Sequence, residues 1–143
     1  MNWNYHFIDH TADIAVEVEG GTIEDLFIAS ASAWQECTIE KNEINFSLKK
    51  HINIKDQSLE ELLVHFLDEI NFLLLTKKWI LSKINGIEIK KSGDKFVLSA
   101  DIVGENTDEK KHQIKVEIKA VTFHQMEIKK INNRYTTRIV FDI

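Results

Sequence analysis

Residues 58–74 read SLEELLVHFLDEINFLL, and this stretch decides the fold class. Ser58 and Glu61 form a capping-box pattern, which satisfies the free amides at the start of a helix. The apolar residues behind the cap recur every three or four positions, as on one face of a helix: Leu59, Leu62, Leu63, Phe66, Leu67, Ile70, Leu73 and Leu74. A stripe of this width predicts a helix packed against a sheet.

The rest of the chain predicts one more helix and several strands. The second helix spans residues 22–34, with Thr22 as its N-cap. Alternating apolar segments bounded by turn residues predict strands over 3–7, 14–19, 48–54, 79–90, 95–103, 121–129 and 134–142. Hairpin turns are predicted at residues 92–94 and 132–133, and an exposed loop at 104–112. We expect one α+β domain over residues 1–143, with two layers: two helices packed on a largely antiparallel sheet of about seven strands.

Composition narrows the class of protein. A chain of 143 residues with 43% hydrophobic and 29% charged residues is typical of a soluble globular protein. Its net charge of −5 disfavours broad attraction to nucleic-acid phosphates, yet it is compatible with docking on a basic partner. No apolar run reaches the roughly 18 residues of a membrane span, and we find no signal-peptide pattern. A single cysteine, Cys37, favours a buried structural thiol in a reducing cytoplasm.

Acidic residues near the two ends of the sequence are the main candidates for chemistry, because phosphate-binding glycine loops, zinc-finger spacings and nucleophile elbows are absent. Asp13 lies in the segment HTADI at residues 10–14, and Asp142 stands beside the last residue, Ile143. Hard divalent cations bind several oxygens, so two acids and a terminal carboxylate could supply part of such a shell. Spacing alone does not show that they meet, and each acid is also explained as a turn residue or a polar strand end.

Two histidines are further candidates for the functional site. His10 lies in the turn before Asp13, and His124 follows the segment KAVTF at residues 119–123. Histidines in such places are more often structural, hydrogen-bonded to a loop or to a carboxylate. The alternative is a metal ligand or a residue that orients one.

Five segments of the chain together resemble the archease family, in order and over nearly the whole length. They are HTADI at 10–14, the helix at 22–34, the leucine-rich helix after Ser58, the strand at 119–124 and the ending VFDI at 140–143. The joint pattern of both ends carries the resemblance. The chain departs from the family at Ala15, where many relatives have glycine, and in a charged loop that lacks proline.

The resemblance implies a function. Archeases are small α+β proteins that serve as cofactors of the RtcB-type RNA ligase, a metal-dependent, GTP-using enzyme of tRNA splicing and RNA repair. An archease promotes guanylylation and multiple turnover of the ligase and broadens its choice of nucleotide, but it does not ligate RNA itself. The partner implied is therefore this ligase, in the cytoplasm, with no membrane role and with direct RNA contact left open.

The resemblance also implies a metal site built from Asp13, Asp142 and Ile143, the last through a backbone or terminal carboxylate oxygen. Calcium is the ion seen in family structures, with manganese and magnesium as alternative working ions. His10, Lys119 and His124 are implied neighbours of this site. A structural role for these three is equally compatible with the sequence.

Two other functions remain open from the sequence. One is a free-standing, metal-dependent phosphoester hydrolase, although two acids are few for that chemistry. The other is a chaperone or scaffold in which a cation merely joins the two ends of the chain.

Overall fold

The computed structural model describes residues 2–8, 13–40, 44–123 and 126–143. Within these ranges the chain forms two helices and eight strands, in the order β1 (Trp3–Ile8), β2 (Ile14–Gly20), α1 (Ile23–Thr38), β3 (Leu48–Asp56), α2 (Leu59–Leu75), β4 (Trp79–Ser92), β5 (Lys95–Asn106), β6 (Ala120–Thr122), β7 (Lys129–Ile131) and β8 (Arg134–Asp142). The strand pairs in these ranges are antiparallel. The predicted α+β class is therefore confirmed.

The strands divide into two sheets, which the sequence pattern did not predict. The first sheet has the order β1-β2-β8-β6, and β7 pairs with β8 as well. Strand β8 accommodates both short strands because β7 pairs with its first residues and β6 with its last. The second sheet has the order β3-β5-β4. Both ends of the chain thus lie in the first sheet.

Both helices begin where the sequence predicts. The Thr22 hydroxyl accepts a hydrogen bond from the Asp25 amide at 3.0 Å, and the Ser58 hydroxyl accepts one from the Glu61 amide at 3.1 Å. These bonds satisfy amides that the first turn leaves free, and such a cap contributes about 1 kcal/mol. Helix α1 continues to Thr38, one turn beyond the predicted end. In the described ranges, no helix combines the length and apolar character that a membrane crossing requires.

The hydrophobic core lies between the two helices and the inner faces of both sheets. The rings of Phe27 on α1 and Phe66 on α2 meet at its centre, with centroids 5.9 Å apart. The strands contribute alternating residues to this core: Val16, Val18, Ile139 and Phe141 from the first sheet, and Ile52, Leu98, Ala100 and Ile102 from the second. Burial of each large side chain stabilises the fold by about 1.5–3 kcal/mol.

Strand β8 sets the direction of the acidic end of the chain. Ile139 and Phe141 are fully buried in the core, whereas Asp142 is exposed. Because successive strand residues point to opposite faces, Asp142 lies on the outer face of the first sheet, away from the helices. The predicted alternation of this strand is confirmed.

Two predicted segments differ from the structure. The predicted strand at 121–129 is wrong, since β6 ends at Thr122 and β7 begins only at Lys129. Between the two strands, the Ile128 amide donates to the Glu60 carboxylate on α2 at 2.9 Å. The predicted exposed loop at 104–112 is right for residues 107–111 and wrong at its two ends. Strand β5 continues to Asn106, and His112 is buried, with Nε2 3.3 Å from the Glu105 carboxylate.

Candidate functional site

The two acids proposed as metal ligands lie at the ends of neighbouring strands. In the register of β2 and β8, Ile14 is opposite Phe141. Asp13 and Asp142 are the next residues outward on the two strands, so the register continued by one residue sets them opposite each other. Side chains opposite each other in an antiparallel pair have Cβ atoms about 4.5–5.5 Å apart. The fold therefore places both acids next to one paired position, which the sequence alone could not show.

A third strand fixes the backbone of the same corner. Ala120 of β6 is opposite Asp142, and the Lys119 amide donates to the Asp142 carbonyl at 2.8 Å. The Lys119 side chain is exposed, as is that of Ile143. Of the residues predicted for the site, Asp13, Lys119, Asp142 and Ile143 therefore lie at one end of the first sheet. His10 and His124 lie outside the described residues.

The donors at this corner suit a hard cation. Carboxylate and backbone oxygens are the ligands that Ca²⁺, Mg²⁺ and Mn²⁺ prefer, and no sulfur or imidazole ligand is needed. Asp13 is partly exposed and Asp142 exposed, so both carboxylates are accessible from solvent. The described ranges hold no group of three or more histidine, cysteine, aspartate and glutamate side chains arranged for a metal ion. Among the described residues, the corner thus offers two carboxylates.

Helix α2 supports the corner from the inner side. The Asp68 carboxylate accepts a hydrogen bond from the Val121 amide at 3.3 Å, and the Asn71 side chain donates one to the Ile118 carbonyl at 2.7 Å. Burial raises the pKa of Asp68 above its usual range, while the Val121 hydrogen bond and nearby His65 oppose that rise. Neither residue was predicted from the sequence. The sequence does distinguish Asn71, because it is a polar residue between Ile70 and Leu74 of the apolar stripe.

The single cysteine has no part in this site. Cys37 is buried on α1, as predicted, and burial raises the pKa of its thiol to about 11. Because the thiolate is the nucleophilic form, a thiol with this pKa is unreactive at neutral pH.

A second polar cluster lies on the outer face of the second sheet. Asp101 Oδ1 is 2.8 Å from His51 Nδ1, and His51 Nε2 is 3.2 Å from Ser99 Oγ. This is the order of groups in a serine hydrolase triad. The cluster is exposed, however, and β5 is paired on both sides at Ser99, so the backbone amides there are committed to the sheet. Without donors for an oxyanion, the arrangement is best explained as surface hydrogen bonding.

The fold and the carboxylate corner define a small α+β protein with a candidate cation-binding edge. Similarity to known proteins identifies its family. The chain matches the model of the Archease protein family (MTH1598/TM1083) over residues 5–143. It is 33% identical over 141 residues to protein archease of Pyrobaculum islandicum, covering 98% of this chain and 95% of that one. Protein archease of Methanosarcina barkeri is 32% identical over 139 residues, covering 97% and 95%. The chain belongs to the archease family.

Solved structures agree with this assignment. The solution structure of Methanobacterium thermoautotrophicum protein 1598 matches with a TM-score of 0.84 at 29% identity, covering 97% of this chain and 98% of that one. The crystal structure of an archease from Thermotoga maritima matches with a TM-score of 0.58 at 24% identity, covering 95% and 94%, and supports the fold alone. The family resemblance recognised from the sequence is therefore confirmed.

Proposed function

We propose that this protein is an accessory protein of an RtcB-type, GTP-dependent RNA ligase in tRNA splicing and RNA repair. It promotes guanylylation and multiple turnover of the ligase in the cytoplasm, and it does not itself join RNA ends. One observation carries the proposal: in a chain of the archease family, Asp13 and Asp142 lie directly outward of the paired residues Ile14 and Phe141.

The carboxylates supply the chemistry of the proposed site. Asp13 and Asp142 hold a divalent cation, and Ile143 contributes a backbone oxygen. Calcium, manganese and magnesium all accept such a donor set, and Mg²⁺ in particular is commonly held by one or two carboxylates together with phosphate oxygens. A cation bound in this way neutralises phosphate charge and helps to align groups for in-line transfer.

Lys119 adds a positive charge to the same corner. Its amide is fixed to the Asp142 carbonyl at 2.8 Å, while its side chain is exposed. We propose that its ammonium group contacts a phosphate of the nucleotide or of the RNA, as lysines in phosphate sites do. His10 and His124 keep their predicted roles as neighbours of the site.

The openness of the corner supports an accessory role rather than a self-contained enzyme. Asp13 is partly exposed and Asp142 exposed, so groups of another molecule can reach a cation held there. The net charge of −5 favours docking on a surface that is basic around its RNA and nucleotide site. Transient association of this kind is governed by charge complementarity and depends on ionic strength.

Multiple-turnover RNA ligation by the cognate ligase, at limiting ligase and with GTP and Mn²⁺, tests the function. Stimulation by this protein supports the proposal. The same protein without ligase is incubated with a generic phosphoester such as p-nitrophenyl phosphate. Turnover there, with no effect on ligation, would establish the hydrolase alternative. No effect in either assay, with thermal stabilisation of an unfolding client, would favour a chaperone.

A further inference from the structure

One peptide group links helix α2 to the candidate metal site. The carbonyl of Ile118 accepts a hydrogen bond from Asn71 Nδ2 at 2.7 Å. The amide of the same peptide group, that of Lys119, donates to the Asp142 carbonyl at 2.8 Å. A peptide group is planar, so a bond that fixes its carbonyl also fixes the direction of its amide.

Asn71 is itself held in one orientation. Its side chain is only 5% exposed, and its Oδ1 accepts the indole N–H of fully buried Trp34 at 2.9 Å. An indole can only donate and a carbonyl can only accept, so these two neighbours determine which end of the amide points to Ile118. A continuous chain of hydrogen bonds therefore runs from Trp34 through Asn71 and the Ile118–Lys119 peptide to Asp142.

The segment that this chain holds has no regular structure of its own. Residues 115–119 belong to no helix or strand, and the Lys115 amide bonds to the Thr38 carbonyl at 2.8 Å. Beyond Lys119, the Val121 amide is held by Asp68. Side chains of α2 thus anchor both sides of Lys119, and Asn71 is the buried one of the two.

We infer that Asn71 is a positioning residue for the metal site: by holding the Ile118–Lys119 peptide, it sets Lys119 and the end of β8 in the geometry that binds the cation. This inference rests on the proposed function for its link to ligase activation. The competing explanation is purely structural, in which Asn71 only satisfies the buried Trp34 indole.

The variant Asn71→Asp separates the two explanations. It keeps an oxygen for the Trp34 indole but loses the Nδ2 donor to Ile118. Ile52→Val, a mild change in the core of the second sheet, is the control for a small loss of stability. If Asn71→Asp does not fold, the smaller and neutral Asn71→Ser replaces it, because its hydroxyl is too short to span both partners.

Two readouts decide the matter without any ligase. The first is hydrogen exchange of the Lys119 amide by NMR, compared with amides of the second sheet, and the second is Mn²⁺ affinity by calorimetry. In the Asn71 variant we expect the Lys119 amide hydrogen to exchange roughly tenfold faster than in the control. We also expect Mn²⁺ to bind about tenfold more weakly, which is the typical effect of removing a group that orients a metal ligand. Unchanged exchange, or faster exchange with unchanged Mn²⁺ affinity, overturns the inference. Failure of the wild-type protein to stimulate the ligase would count against the proposed function alone.

Discussion

Asp13 and Asp142 each lie one residue outward of the paired residues Ile14 and Phe141, at the end of the first sheet. Two like charges in this relation destabilise an antiparallel pair by about 0.2–1 kcal/mol. A divalent cation between them would reverse the sign of the interaction. A cation bound at the proposed site would therefore relieve a repulsion between the two carboxylates.

The first prediction concerns stability with and without a cation. In the presence of a chelator, Asp142→Asn should melt at the same temperature as the wild type or slightly higher, because it removes a repulsion. At a cation concentration of about one hundred times Kd, binding should stabilise the wild type by about 2.7 kcal/mol, which raises its Tm by about 5–10 °C. Differential scanning calorimetry with Mn²⁺ and with Ca²⁺ measures both effects.

Glu88→Gln is the matched control for this experiment, because it removes an exposed carboxylate of the second sheet that pairs with Lys90. It should retain the full cation-dependent rise in Tm. An equal rise in the Asp142 variant would show that the cation binds elsewhere.

The second prediction concerns Lys119. Its side chain is exposed, so Lys119→Met should change the free energy of unfolding by no more than about 0.5 kcal/mol. Stimulation of the ligase should nevertheless fall about tenfold, which corresponds to loss of one charge-assisted contact to phosphate. The control is Lys115→Met, an exposed lysine of the same irregular segment. Equal loss in the two variants would indicate a general effect of charge.

The third prediction concerns acid stability and Glu105. The Lys111 ammonium group, 2.8 Å away, together with the Asn45 amide and His112, holds the pKa of this carboxyl below its usual range against the opposing effect of burial. A carboxyl whose pKa is lowered by folding stabilises the protein above its unfolded pKa, about 4.3, and loses that contribution as the pH falls through the folded value.

Glu105→Gln should therefore cost about 1 kcal/mol at neutral pH, and the difference from the wild type should shrink as the pH falls below about 4. Urea unfolding between pH 3 and pH 7 provides the measurement, with the exposed Glu109→Gln as control. A difference that stays constant across this range would contradict the role assigned to the Glu105 charge.

The fourth prediction concerns the turn between β7 and β8. Asn132 and Asn133 have φ values of 52° and 63°, a left-handed conformation that asparagine and glycine tolerate and β-branched residues do not. Asn133→Gly should be neutral or slightly stabilising, whereas Asn133→Val should cost about 1–3 kcal/mol. Thermal unfolding of the two variants checks the order, and equal stability would contradict it.

Local patterns predicted those elements whose cause is local. Residues close in sequence determine the caps at Thr22 and Ser58, the alternation of β8 and the Asn132–Asn133 turn. The break in the strand at 121–129 has no local signal, and the Ile128 amide within it bonds to Glu60, which is 68 residues away along the chain. The division into two sheets is likewise a matter of tertiary packing.

The sequence named candidate residues for the site but not how those residues lie relative to one another. The family resemblance selected Asp13, Asp142 and Ile143, yet only the pairing of β2 with β8 brings them together. Asn71 could not be assigned a role from sequence, because its partners, Trp34 and Ile118, lie 37 and 47 residues away along the chain.

In the proposed function, a cation held by Asp13 and Asp142 is what activates the ligase. The most direct measurement is single-turnover guanylylation of the ligase with GTP, comparing wild type, Asp13→Asn, Asp142→Asn and Glu88→Gln across a titration of Mn²⁺. We expect both aspartate variants to fold, to lose stimulation by about tenfold or more, and to recover part of it at high Mn²⁺, while Glu88→Gln behaves as wild type. Full stimulation by folded Asp13→Asn and Asp142→Asn would show that ligase activation does not depend on a cation held by these two carboxylates.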